Sequence, residues 1–246
     1  MMTMITRIAT RITTTASTGT EADVSLARLL RLASPALPVG AFSYSQALEW
    51  AVEEGSVRDA ISASDWIVDV LAVSLARCEA PVWLRLHAAC AAGDPHAFAR
   101  WNEFFLAARE TAELRAETLQ MGRSLAALLA RAGEIPEASR ALLATLDPPA
   151  FPAAYACAVA AWGIAARAGL TAYLFSWAEN QAIAAVKLVP LGQSAAQDIL
   201  ARVTQALPEA LDEAFALGDD HLGSLAFGLA IASCRHETQY TRLFRS

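Results

Sequence analysis

Two pairs of side chains have the types and spacing for metal chemistry. His87 and Cys90 stand three apart in a helical stretch, so an imidazole and a thiol could reach one ion from the same face. Cys234 and His236 could do the same if the chain's last segment folds around them. Two ligands do not make a tight site, and single His or Cys residues on Ala-rich helices usually serve the core or the surface. They are therefore weak candidates, and no resident metal or other cofactor is expected. The four cysteines, Cys78, Cys90, Cys157 and Cys234, form no CxxC pair and read as free thiols of a reducing compartment.

Nucleophilic and nucleotide chemistry find less support. Gly40-Ala-Phe-Ser43 lacks the second glycine of a nucleophile elbow and follows no strand. There is no phosphate-cradling GxxxxGK[ST], no HExxH and no GxGxxG after a strand. A hydrolase or transferase would have to use His87 or His221 in a cleft, with an acid or nucleophile that no motif supplies. No catalytic residue is assigned.

Two further features invite a functional reading. Lys187 is the only lysine in the chain; it ends an apolar helix and runs directly into Leu-Val-Pro190-Leu-Gly192-Gln193. A cation there suits the helix macrodipole and can be merely structural. It can equally be a charge presented from a rigid support. The segment from Cys234 carries Arg235, Arg242 and Arg245 against one acid, Glu237, with Tyr240, Leu243 and Phe244 among them. Free, such a segment would fray; docked, it offers an apolar face rimmed by cations.

The elements that must position these residues are helices. Hydrophobic residues make up 55% of the 246 and charged ones 18%, the balance of a buried, ordered protein. A net charge of −6 argues against nucleic acid as partner. Mean hydropathy is +0.35, yet the uncharged run from Pro148 to Ala166 holds three prolines and a glycine, so it reads as a core helix and no membrane association is expected. Alanine and leucine dominate and alternating β-branched runs are missing, which points to an all-α, single-domain bundle of about ten helices.

The Thr-rich residues 1–22 contain no apolar signal region and read as a disordered extension. Residues 23–232 form the helical domain and 233–246 the tail. Within the domain, Val24–Ala33 is a short helix stopped by Pro35, Pro38 and Gly40, and a helix resumes near Phe42. Ser62 to Asp65 looks like a capping box opening a helix in which Trp66, Val70, Val73 and Arg77 share a face. Pro81 starts another helix, which ends at Gly93; Asp94-Pro95 caps the next, with Phe98, Trp101 and Phe105 inside. Thr111–Arg131 is amphipathic, burying Leu114, Met121, Leu125 and Leu128 and showing Glu113 and Glu117 to solvent. Phe151 to Gln193 is a pair of core helices. Pro208 starts or kinks a later segment, and Asp219 or Asp220 caps a last apolar helix.

Four blocks, LLRLASPALPVGAFSYSQALEWAVEEG (29–55), RETAELRAETLQMGRSL (109–125), AAVKLVPLGQSAAQ (184–197) and RHETQYTRLFRS (235–246), resemble the UreF family of urease accessory proteins. The resemblance runs from about Val24 to Ser246. It implies an all-helical, non-enzymatic cytoplasmic adaptor that dimerises and joins UreD (also called UreH) and the GTPase UreG to load nickel into apo-urease. GTP would be bound by UreG, and nickel handled only transiently by the complex. On this resemblance Arg235, His236, Glu237, Tyr240, Arg242, Leu243, Phe244 and Arg245 meet UreD. Pro35, Pro38, Gly40, Phe42, Ser43 and Tyr44, with Lys187, Pro190, Gly192 and Gln193, contribute to the surface facing UreG and the second UreF.

Overall fold

The computed structural model describes residues 16–246. They form eleven α-helices and no strand, gathered into one bundle. Its centre is the pair α8 (Phe151–Ala161) and α9 (Ala166–Leu188). The uncharged α8 is buried on nearly every side, and α9, whose charges are Arg167, Glu179 and Lys187, buries its apolar faces: Tyr155, Val159, Leu170 and Leu174 are fully enclosed. Against α8 lie α4 (Ala80–Ala92) and α6 (Ala112–Ala132); α10 (Gln193–Ala216) and α1 (Ala16–Ala33) pack on α9. Gly122 lets α6 approach closely, since a β-carbon there would sit 2.1 Å from the Pro149 carbonyl oxygen.

Several boundaries follow the expected chemistry. Asp94 accepts from the His96 and Ala97 amides at 3.0 Å, and Pro95 opens α5 (Pro95–Ala107). Thr111 caps α6 through the Leu114 amide, and Gly93 and Gly133 close their helices with positive φ. α7 (Glu137–Ala144) then leads to α8.

Others differ, each for a physical reason. α1 begins at Ala16, so the extension expected over 1–22 is helical in its last residues; residues 1–15 lie outside the described residues. After Gly40 (φ +83°) there is only a turn of 3₁₀ helix, Ala41–Ser43, before α2 (Leu48–Glu53), because Gln46 and Ala47 take positive φ. α3 (Ala60–Val70) opens one turn earlier than expected. Its capping box is Asp59 with Ser62, not Ser62 with Asp65.

Pro81 starts no new helix. α3 runs through a π segment, Leu71–Glu79, straight into α4, and Pro81 falls in the first turn after it, where the wider repeat has already disturbed the hydrogen-bond ladder. The same widening shifts the helical phase, leaving Val73 half-exposed while Val70 is buried. Pro208 is carried inside α10. The last helix, α11 (Phe227–His236), starts well past Asp219, which belongs to a 3₁₀ turn, and contains part of the expected tail; the tail proper begins at Glu237. On α6, Leu129 is buried and Leu128 only partly, and Glu117 is turned inward.

Candidate functional site

Three stretches far apart in sequence meet at one end of the bundle: the turn after Gly40, the end of α9 and the C-terminal tail. The tail does not fray. Ser45 donates from both its amide (2.9 Å) and its hydroxyl (2.6 Å) to the Ser246 main-chain oxygen, and the Arg245 amide donates to Ser43 O at 2.9 Å. Phe244 is buried, and Lys187 Nζ lies 5.6 Å from the centroid of its ring. Tyr44 is fixed from both ends: Asn180 of α9 donates to its carbonyl at 3.0 Å, while its hydroxyl donates to Gln120 of α6. Burial first, and then Glu117, raise its phenol above the usual range, with Arg245 pulling the other way.

The anchors are three carboxylates. Glu49 of α2 accepts the Leu243 amide at 2.6 Å and the Phe244 amide at 2.9 Å. Glu113 of α6 accepts from Arg242 and from His236 Nδ1 (2.6 Å), and its own amide donates to Glu237. Glu117, one turn on, takes the Ser246 hydroxyl and the Gln46 amide, each at 2.7 Å. Burial pushes its carboxyl up to about 7, against the pull of those two hydrogen bonds. Gln46, whose backbone has positive φ, in turn accepts from Trp177 at 2.6 Å.

Around this anchorage the chain turns apolar groups outward. Tyr240 is fully exposed and Leu243 mostly so. α11 buries Leu229, Ala232 and Ser233 but shows solvent Phe227 (73% exposed) and Ile231 (62%), with Leu225 just before them. Phe227 and Ile231 stand one helical turn apart and form an apolar ridge on α11. Phe42, Pro35 and Pro38 are also exposed, as are Pro190 and Gly192 in the turn after α9; Gln193 opens α10, and its side chain lies outside those described.

The metal candidates are dispersed. His87 Nε2 faces the Ile164 carbonyl at 3.2 Å, its ring stacks on Trp83, and burial lowers its pKa. Cys90 Sγ lies 3.1 Å from Cys157 Sγ in the core. Cys234 is exposed, whereas His236 is fully buried with both ring nitrogens on carboxylates, which leaves neither for an ion. Among the described residues no three His, Cys, Asp or Glu side chains come together to hold a metal. His221 is exposed in the 3₁₀ turn. A cavity of about 90 Å³, room for a few waters, adjoins Glu79, Arg109, Glu117 and Tyr173. Glu79 is engaged there by Arg109 (3.2 Å) and by the Tyr173 hydroxyl.

Sequence reading missed Glu49, Glu113 and Glu117 as functional residues. Only their pairing with a segment more than a hundred positions away distinguishes them from solvated acids. The available signal was that the basic tail required acidic acceptors.

Fold and site together define an all-helical scaffold whose distinguishing surface is a docked basic–aromatic tail beside an apolar helix ridge. Among the described residues no helix is long and apolar enough to cross a membrane. Residues 57–204 match the UreF family model. The chain is 58% identical over 223 residues to the urease accessory protein UreF of Azoarcus sp. (strain BH72), covering 90% of this chain and 95% of that one. It is 53% identical over 224 residues to UreF of Cupriavidus metallidurans, covering 90% and 97%. To the bifunctional urease accessory protein UreEF of Bordetella bronchiseptica it is 49% identical over 247 residues, covering 99% of this chain and 57% of that one. The chain belongs to the UreF family of urease accessory proteins.

Proposed function

We propose that this chain is a non-enzymatic adaptor for nickel incorporation into apo-urease, acting in a cytoplasmic complex with UreD (UreH) and the GTPase UreG. What carries the reading is the C-terminal surface: a tail locked to the bundle by Glu49, Glu113 and Glu117, with Tyr240, Leu243, Phe227 and Ile231 facing outward. Polar groups fix the pose, and aromatic and aliphatic groups remain for a partner, the division of labour of a protein–protein contact. UreD is the partner we assign to it.

The turn at Pro35–Tyr44 and the end of α9, with Lys187, Pro190, Gly192 and Gln193, border the same end of the bundle and serve UreG and a second UreF. Nickel is cargo of the complex, and GTP belongs to UreG. The four free thiols suit a reducing compartment. That one relative is a bifunctional accessory protein, UreEF, supports a role within an assembly.

Deleting residues 237–246 tests this. We expect co-purification with UreD to be lost while the helical circular dichroism is kept. Undiminished UreD binding by the truncated chain would sink the reading.

A further inference from the structure

The tail's anchorage turns on one imidazole. His236 is fully buried at the end of α11, with Nδ1 2.6 Å from Glu113 Oε2 and Nε2 3.2 Å from Glu49 Oε2. An ionised carboxylate only accepts hydrogen bonds. The ring therefore satisfies both neighbours only as imidazolium, with both nitrogens donating. A neutral ring donates once and turns a bare lone pair toward the other carboxylate, on a side chain that is fully buried.

The same two acids hold the tail. Glu49 takes the Leu243 and Phe244 amides, and Glu113 takes the Arg242 guanidinium. The charged groups the structure places here are Glu49 from α2 and Glu113 from α6, each on a ring nitrogen, and Arg242 from the tail, which shares Glu113. Glu237, the next residue in the chain, receives the Glu113 amide.

We propose that His236 is a proton key for the tail: charged, it bridges α2 and α6 and holds residues 237–246 down; neutral, it keeps one of the two carboxylates and faces the other with a lone pair, the bridge is broken and the tail lifts. Glu117 acts in the same sense at the far end. Its ionisation places a buried charge beside Ser246, with Glu79 and Arg109 as its other charged neighbours. Lifting the tail disperses the outward pose of Tyr240 and Leu243, so acidification favours partner docking and alkalinisation opposes it. This consequence rests on the adaptor reading; the key itself does not.

The test uses the full chain alone, labelled with ¹⁵N. Ring-nitrogen shifts of His236, assigned by comparison with His236→Gln, are followed across about pH 5.5 to 9. Hydrogen exchange of the Leu243 and Phe244 amides, corrected for its intrinsic pH dependence, is followed alongside. We expect an imidazolium at the acid end and a loss of amide protection of roughly tenfold as the ring titrates, the scale of one buried charge-assisted hydrogen bond. The two transitions share a midpoint, and that midpoint falls in Glu113→Gln, which keeps the reading available should His236→Gln not fold. A ring that is neutral throughout beneath protected amides overturns the proposal, as does protection that ignores the ring's titration. No partner is present, so failure here falls on the key; loss of UreD binding is read separately from the tail deletion.

Discussion

α9 and the C-terminal tail both end at the same corner of the molecule, and they are held in opposite ways. α9 is fixed by apolar surface: Leu170, Leu174, Ala178 and Ala182 are buried, α10, α1, α3, α2, α4 and α8 all pack on the helix, and little of its placement depends on a single atom. The tail has one substantial buried apolar side chain, Phe244, and depends instead on carboxylates that accept its amides, hydroxyl and guanidinium. Burial by area is insensitive to pH and spread over many atoms. Anchorage by charge-assisted hydrogen bonds is local and titratable. The first suits a scaffold and the second a segment whose hold can be changed by protonation.

Four experiments can break or sharpen that contrast. The largest effect belongs to α9. Leu174→Ala leaves a void among closely packed helices and should cost about 3 kcal/mol of global stability, measured by urea unfolding. A loss below about 1 kcal/mol would mean that α9 is not the centre of the core.

Next comes pH. Glu117 has a folded pKa of about 7, above its ordinary 4.5. Its contribution is complete below pH 4.5 and is lost as pH rises toward 7, a fall on the order of 3 kcal/mol. Urea midpoints of Glu117→Gln should lack that slope, since the amide resembles the protonated acid. An unchanged slope would assign it elsewhere.

Glu49→Gln should act on the tail alone. Trypsin cleavage after Arg242 should accelerate roughly tenfold while the cooperative unfolding of the bundle shifts by only about 1–2 kcal/mol. Loss of cooperative unfolding would show that the tail's anchor is part of the core.

Lys187→Ala is the smallest. Its cation lies over the Phe244 ring at an exposed site, so the folding cost should be about 0.5 kcal/mol. Any larger consequence should appear in UreG recruitment, read by pull-down of the assembled complex. A large drop in melting temperature would make Lys187 a structural residue.

Local chemistry made much of the bundle legible. Asp94-Pro95, Thr111, Gly93 and Gly133 act at the ends of the helices they delimit, and the uncharged run from Phe151 is buried. Readings failed where a wider context overrode the local rule. Pro81 passes because the π segment precedes it, and Asp219 caps no long helix because the chain from Gly223 to Leu225 instead bonds to the π segment, through the Arg77 and Val73 carbonyls. At the site, the Gly40 turn, Lys187 and the tail were each visible as separate motifs. Their meeting at Ser43–Ser45 and Phe244 was not.

Periodicity, breakers and composition, all short-range properties of the chain, determined an all-helical bundle with a basic–aromatic tail, and the resemblance of four sequence blocks, not those properties, pointed to the UreF family. Only the tertiary structure decided what that tail rests on. Glu49 and Phe244 are 195 residues apart, and nothing local to α2 or α6 distinguishes an acid bound for the interior from one bound for water. That choice is made by which helices pack together. Packing brought His236, Glu49 and Glu113 to one buried point and turned Phe227, Ile231 and Tyr240 outward.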